Sequence, residues 1–167
     1  MKRRDFLKST LSIIPLVTLS QVFAEEEDFY FVNILQVDKA NGNNRIYTRK
    51  CIEKVVDNFN PTLGEFLSTN EMNNKENCAV ISFANVSHRI EELFFNGDFL
   101  SAKIKILDTP KGKLLKSAIK EICFRPRGTG KLEIQENGIQ TTTEYSLISV
   151  DALFEKEAAK IWKYYLH

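Results

Sequence analysis

The sequence predicts a single α+β domain in which strands outnumber helices, built as an antiparallel sheet or a β-barrel with a few peripheral helices. Two turn signals, Asn96-Gly97 and Asn137-Gly138, each separate two segments rich in β-branched and aromatic residues, which is the pattern of a β-hairpin. Helix-start signals are fewer: Thr48 and Thr109-Pro110 each precede apolar residues at helical spacing. With 167 residues, 43% of them hydrophobic, the chain is long enough to bury one core.

The individual elements follow from local periodicity and from turn residues. A polar, Asn-rich stretch at residues 64–77 predicts an exposed loop. Helices are predicted over residues 48–59, 110–119 and 152–166. Strands are predicted over residues 29–37, 79–83, 86–95, 99–107, 122–124, 131–135 and 139–150.

Composition excludes several classes of protein. A formal net charge of +1, from 23 basic and 22 acidic residues, leaves no electrostatic signature of nucleic-acid binding. The three cysteines, Cys51, Cys78 and Cys123, are too few and too scattered for a disulfide scaffold, and no CxxC pair predicts a zinc site. We therefore expect no metal, no cofactor and no nucleic-acid partner.

The first 24 residues have the three parts of a signal peptide: a basic start, an apolar middle at residues 11–19 and a small residue, Ala24, at the end. The start, Arg3-Arg4-Asp5-Phe6-Leu7-Lys8, matches the twin-arginine export pattern RRxFLK. This predicts a signal segment over residues 1–24, a domain over residues 25–167, a periplasmic location, and membrane contact only through the signal. The alternative is an amphipathic first helix that packs on the domain.

The centre of the chain reads as a strand, a capped helix and a second strand that ends in Arg125-Pro126-Arg127-Gly128. In a hydrolase, the end of such a strand is where a nucleophile is expected. This one carries no Ser, Thr or Cys at its end.

Six segments together resemble one known family. They are Asn41-Gly42-Asn43-Asn44-Arg45-Ile46-Tyr47, Gly64-Glu65-Phe66, Val86-Ser87-His88-Arg89-Ile90, Ile106-Leu107-Asp108-Thr109-Pro110-Lys111-Gly112-Lys113, Arg127-Gly128-Thr129-Gly130 and Tyr145-Ser146-Leu147-Ile148-Ser149-Val150-Asp151. In this order they are similar to motifs of the prohead core proteases of large contractile-tailed, T4-type bacteriophages. The resemblance covers residues 29–152. It implies an assemblin-like fold and the processing of scaffold and capsid proteins during head maturation.

Two positions that the resemblance assigns to catalysis are substituted. The family's nucleophile is the first serine of an SSRG motif, and Arg125 stands there, followed by Pro126. The family's base is a histidine after its GEL motif, and Ser68 stands nearest to that position. An arginine offers only hydrogen-bond donors, so Arg125 does not replace a nucleophile. The resemblance therefore implies a member that has lost serine-protease activity.

Two other residues are candidates for a displaced active site. His88 has the right chemistry for a general base, and the alternative is a buried structural histidine. Cys123 lies two residues before Arg125, so on a strand it faces the same side, where a neighbouring cation lowers the pKa of a thiol. The alternative for Cys123 is a small buried apolar residue.

The function that these residues favour is a non-catalytic binder or regulator. Its partner would be a protein or peptide, namely a scaffold protein, a capsid protein or a related protease, with a peptide added as a strand. Arg125, Arg127, Gly128 and Gly130 are the expected binding residues. One alternative is an active maturation protease in the host cytoplasm or prohead that uses Cys123 as nucleophile or His88 as base. Another is an exported domain that reuses the fold outside capsid assembly.

Overall fold

The computed structural model describes residues 22–26, 28–73 and 79–158. Short 3-10 turns at Phe83–Asn85 and Ile119–Glu121 precede two of the strands. The elements in chain order are β1 (Val22–Glu26), β2 (Phe29–Gln36), β3 (Arg45–Tyr47), α1 (Arg49–Asp57), β4 (Thr62–Glu65), α2 (Thr69–Asn73), β5 (Val86–Asn96), β6 (Phe99–Ile106), α3 (Pro110–Ala118), β7 (Ile122–Ile134) and β8 (Gln140–Phe154).

The strands form two sheets. The first has the order β1-β2-β6-β5-β4, and all its neighbours are antiparallel. The second has the order β3-β8-β7, with β8 antiparallel to β7 and parallel to β3. The α+β class is confirmed, and the described strands form two open sheets instead of one closed barrel.

One apolar core joins the two sheets and the helices. Its fully buried side chains include Val32, Ile90 and Ile104 from the first sheet and Phe124 and Val150 from the second. The chain that leaves β4 also links the sheets, because Phe66 pairs in parallel with Ala152 of β8. The ends of β4, β7 and β8 are thereby brought side by side.

The predicted helix caps are confirmed. The Thr48 hydroxyl accepts a hydrogen bond from the Cys51 N–H at 3.2 Å and begins α1. The Thr109 hydroxyl accepts from the Gly112 N–H at 2.9 Å, and Pro110 occupies the first turn of α3, where no N–H is needed. Both hairpins form at the predicted turns, where Gly97 and Gly138 have positive φ angles.

Three predicted elements are wrong. Residues 79–82 are not a strand, and a 3-10 turn follows them. The predicted loop at 64–77 contains the end of β4 and the short helix α2. β8 continues through Phe154, so the predicted C-terminal helix begins at residue 155 instead of 152, and residues 159–166 of that prediction lie outside the described residues.

β7 is one long strand where the sequence predicted two strands and a glycine turn. Pro126 is tolerated because β7 is an edge strand of its sheet among the described strands. Gly128 is needed for a close approach: a Cβ there would lie 2.2 Å from the Ser146 carbonyl oxygen and 2.7 Å from Cζ of Tyr145. The glycine therefore makes room for a neighbour instead of turning the chain.

β1 crosses the predicted signal-peptide boundary. Ala24 pairs with Phe31 and Glu25 with Tyr30, so the backbone on both sides of the predicted cleavage point belongs to the first sheet. Arg3, Arg4, Phe6 and Leu7 lie outside the described residues. Among the described residues, no helix is long and apolar enough to cross a membrane.

We predict that Gly112→Ala destabilises the protein. A Cβ at this position would lie 1.9 Å from the Leu107 carbonyl oxygen and 2.8 Å from that of Ser87. Helix propensity alone favours alanine over glycine by about 1 kcal/mol, whereas the clash predicts a loss of about 2–3 kcal/mol in the free energy of unfolding. Urea denaturation measures the sign. The matched control is Lys116→Ala on the exposed side of α3, and a Gly112→Ala protein as stable as the control would contradict the close packing of α3.

Candidate functional site

A buried group of charges lies where β4, β7 and β8 meet. Arg127 donates two hydrogen bonds to Asp151, from Nε at 2.6 Å and from Nη2 at 3.1 Å, and Nη2 also donates to Glu65. The Asp151 and Glu65 side chains are fully buried, and the Arg127 side chain is 10% exposed. We refer to Arg127, Asp151 and Glu65 as the ionic cluster.

Neighbouring groups complete the hydrogen bonding of the cluster. Asp151 accepts a bond from the Glu65 backbone N–H at 3.3 Å, and the Ser149 hydroxyl lies 3.0 Å from the same oxygen. Arg127 donates to the Val80 carbonyl at 3.0 Å, and the Ser82 N–H donates to Glu65 at 3.0 Å. These last two bonds fix the loop before β5. The cluster therefore positions three strands and one loop.

The ionic cluster also favours the charged form of Arg127. Burial acts to lower the pKa of the guanidinium, but the hydrogen bonds and charges of Asp151 and Glu65 outweigh burial and hold that pKa above its usual value.

Each residue of the ionic cluster comes from a different one of the six family-like segments. The shared motifs thus meet at one structural contact, which sequence reasoning missed. The available signal was a carboxylate inside an apolar strand end, Val150-Asp151-Ala152.

His88 is sealed in the core. Its Nε2 lies 2.9 Å from the Val150 carbonyl, so Nε2 carries the hydrogen, and Nδ1 accepts from the Ser87 hydroxyl at 2.8 Å. Neither His88 nor Ser87 is exposed. Burial lowers the pKa of His88 to about 4, against the opposing effect of the bond to Val150. The ring is therefore neutral at pH 7.

Cys123 lies on the other side of β7 from His88. The His88 ring packs edge-on against Phe124 at 5.5 Å, and successive residues of a strand point to opposite faces. Cys123 instead packs with Leu153 and Ala158. Burial raises the pKa of the Cys123 thiol, and the charge of Arg125 offsets only part of that rise. The structure does not bring these two candidates together.

Arg125 and Ser68, the two positions that the resemblance assigns to catalysis, have other interactions. Burial lowers the pKa of Arg125, and Cys123 offsets only part of that effect. Ser68 caps α2 in a reciprocal pair with Glu71: the Ser68 N–H donates to the carboxylate at 2.7 Å, and the Glu71 N–H donates to the hydroxyl at 3.2 Å. The segments that hold Ser68 and Arg125 lie on either side of β8, roughly 10 Å apart by strand spacing.

A pocket of about 370 Å³ lies across the second sheet. Three of the four predicted binding residues, Arg127, Gly128 and Gly130, line it, while Arg125 is not among its lining residues. We call it the β3–β7 pocket. Its lining is Arg45, Tyr47, Met72, Pro126, Arg127, Gly128, Gly130, Leu132, Thr142 and Tyr145.

Comparison with known proteins identifies the family to which this chain belongs. A sequence profile of the family described as prohead core protein serine protease matches residues 20–164. The chain therefore belongs to the prohead core protease family, as the six segments predicted.

A solved structure agrees with this assignment. The structure of the bacteriophage T4 capsid assembly protease matches with a TM-score of 0.63 and 21% sequence identity, over 75% of this chain and 81% of that chain. At this identity the likeness shows a shared fold. No curated protein matches the sequence.

The predicted periplasmic location is wrong. The family is one of prohead core proteins, and its match begins at residue 20, before Ala24. β1 then carries the match across the predicted cleavage point as a paired strand. The alternative location, the host cytoplasm or prohead, fits the family. The division of the chain at residue 24 stays a prediction, because residues 1–21 lie outside the described residues.

We predict that Arg127→Met costs about 3–5 kcal/mol in the free energy of unfolding, because it leaves two buried carboxylates without their cation. Chemical denaturation measures the loss. The matched control is Arg49→Met, which breaks the ion pair of Arg49 with the exposed Asp98 and is expected to cost less than about 1 kcal/mol. Equal losses in the two variants would contradict the structural role of the cluster.

We predict that acid weakens the protein through His88. Its pKa is about 4 in the folded chain and 6.5 in the unfolded one, so between these values the unfolded chain binds the extra proton. Stability therefore falls as pH falls from about 6.5 to about 4, by roughly 3 kcal/mol from this group.

The measurement is the difference in the pH dependence of unfolding between the native chain and His88→Gln. This difference removes the effect of other groups that titrate in the same range. Identical pH profiles for the two proteins would contradict a buried, neutral His88.

Proposed function

We propose that this chain is a non-catalytic member of the prohead protease family that binds a peptide segment of a scaffold protein, a capsid protein or a related protease. The binding site is the face of the second sheet that contains the β3–β7 pocket, together with the adjacent edge of β7. The chain acts in the prohead or the host cytoplasm, and it regulates or holds its partner without cleaving it.

The observation that carries the proposal is the state of His88. In the described part of the chain it is the only imidazole, and both of its nitrogens are engaged within the core. Its one close hydroxyl, that of Ser87, is fully buried too, so a peptide carbonyl has no access to this Ser–His contact. A covalent mechanism needs a nucleophile and a base within reach of the substrate as well as of each other.

The same geometry disfavours an active protease with a displaced nucleophile. Cys123 is only 8% exposed, and burial raises the pKa of its thiol. Because the thiolate is the reactive form, such a cysteine is a poor nucleophile at neutral pH. It also faces away from His88, so this histidine does not activate it.

Peptide binding is supported by the position of β7 in its sheet. β7 is the edge strand of its sheet among the strands that the structure describes, and an edge strand offers backbone groups to an added peptide strand. The ionic cluster holds β7 and β8 in place through the bonds between Arg127 and Asp151.

We predict that the purified full chain neither hydrolyses peptides nor reacts with active-site probes. Peptides tiled across the scaffold and major capsid proteins of its phage are expected to stay intact under mass spectrometry, and some of them to bind. Fluorophosphonate and iodoacetamide are expected to label no residue faster in the folded protein than in the denatured one.

The variant Arg125→Ser with Pro126→Ser serves as a sharper arm of this test. It recreates the family's serine motif, but His88 remains buried and inaccessible to a peptide, and Ser68 remains the cap of α2. We therefore expect no hydrolysis. Strong hydrolysis by this variant, or by the native chain with a single labelled Ser or Cys, would overturn the proposal and identify the working residues. A chain that binds none of the tiled peptides would overturn its binding half.

A further inference from the structure

The β3–β7 pocket contains two buried hydrogen-bonding groups without partners. Among the described residues, Nε of Arg45 and the hydroxyl of Thr142 are the buried side-chain atoms of this kind. Both residues line the pocket, and Thr142 is 1% exposed. A buried polar group left unpaired costs about 1–3 kcal/mol, so native proteins normally pair such groups. Two of them in one pocket make it the candidate site for a ligand that completes the bonding.

The charge in the pocket is also uncompensated. Arg45 donates through Nη2 to the amide oxygen of Gln140 at 3.2 Å, and its backbone N–H donates to Asn41 at 3.1 Å. No carboxylate of the described residues lies within ion-pair distance of its guanidinium. Arg127, the other cation in the lining, is already held by Asp151 and Glu65. Arg45 is therefore the cation with capacity for a ligand.

The β3–β7 pocket is also lined by residues of the family-like segments that lie outside the ionic cluster. Tyr47 and Tyr145 pack edge-to-face with ring centroids 5.3 Å apart. A Cβ on Gly128 would lie 2.8 Å from the Tyr145 hydroxyl, so that glycine admits the ring. Three of the six family-like segments thus meet here.

We propose that the β3–β7 pocket binds a peptide through one acceptor oxygen, a carbonyl or a carboxylate, which accepts hydrogen bonds from Arg45 Nε and the Thr142 hydroxyl. The aliphatic part of the same residue packs on Tyr47 and Tyr145. Leu132 lies opposite Thr142 in the register of β7 and β8 and is 41% exposed, so it is the side chain whose movement would admit the ligand to these two buried donors. This rests on the proposed function only in taking a peptide as the ligand.

The test is an NMR titration of the full chain with two matched probes, N-acetyl-leucine and N-acetyl-leucinamide. The first offers a carboxylate and the second only carbonyl oxygens, so their relative affinities show which source the pocket prefers. The signal is the Nε–H resonance of Arg45, assigned by its loss in Arg45→Lys. We expect it to shift on addition of at least one probe.

Variants then test the two donors. Thr142→Val keeps the shape and removes the hydroxyl, and Arg45→Lys keeps the charge and removes Nε. Each is expected to weaken binding about tenfold or more, as for one hydrogen bond to a charged group. Because Arg45→Lys has no Nε–H, the affinities of all variants are measured from the backbone N–H resonances of Gly128 and Gly130, which line the pocket. Arg49→Lys, which lies outside the pocket lining, is expected to bind as the native chain does. Unfolding midpoints confirm that each variant is folded.

Two results would overturn the inference: no shift of the Arg45 resonance with either probe, or native affinity in both pocket variants. If the tiled peptides bind while these probes fail, the pocket is wrong and the proposed function stands. If the probes bind as expected while every tiled peptide fails, the pocket stands and the proposed partner class is wrong.

Discussion

The pairing of Arg127 with Asp151 and Glu65 is the contact on which the rest of the site depends. Removing three charges from water is unfavourable unless each has well-placed partners, and here three strands supply one member each. The geometry is therefore restrictive: a shift of any one strand would leave a buried charge unpaired. The cluster therefore fixes the arrangement of the ends of β4, β7 and β8.

Arg125 and Ser68, the two positions that the family resemblance assigns to catalysis, have partners of their own. Cys123 interacts with Arg125, and Glu71 pairs with Ser68 at the start of α2. Their present side chains are therefore accommodated by the fold. His88 is the converse case, because its ring fills the space that Gly64 leaves open and bonds to β8, which a structural role explains.

Local signals predicted the elements that local interactions determine. Thr48 and Thr109 cap their helices, and Asn96-Gly97 turns its hairpin, because each needs only residues close in sequence. The wrong predictions concern segments whose structure depends on residues distant in sequence. β7 continues as a strand through its glycines because β8 packs closely against Gly128. The loop at residues 79–82 is held by hydrogen bonds to Glu65 and Arg127. The helix α2 was missed although Ser68 and Glu71 form a capping box, since the surrounding polar residues outweighed that signal.

Binding and catalysis are separable for a physical reason. An enzyme holds its substrate through many groups remote from the reacting atoms, while the chemical step depends on a few groups placed for the transition state. The loss of a nucleophile and a base would lower the rate and leave such remote contacts unchanged. On the proposed function, those contacts in this chain are the edge of β7, Arg45 and Thr142. A chain that acts as proposed therefore keeps its affinity for a peptide without cleaving it.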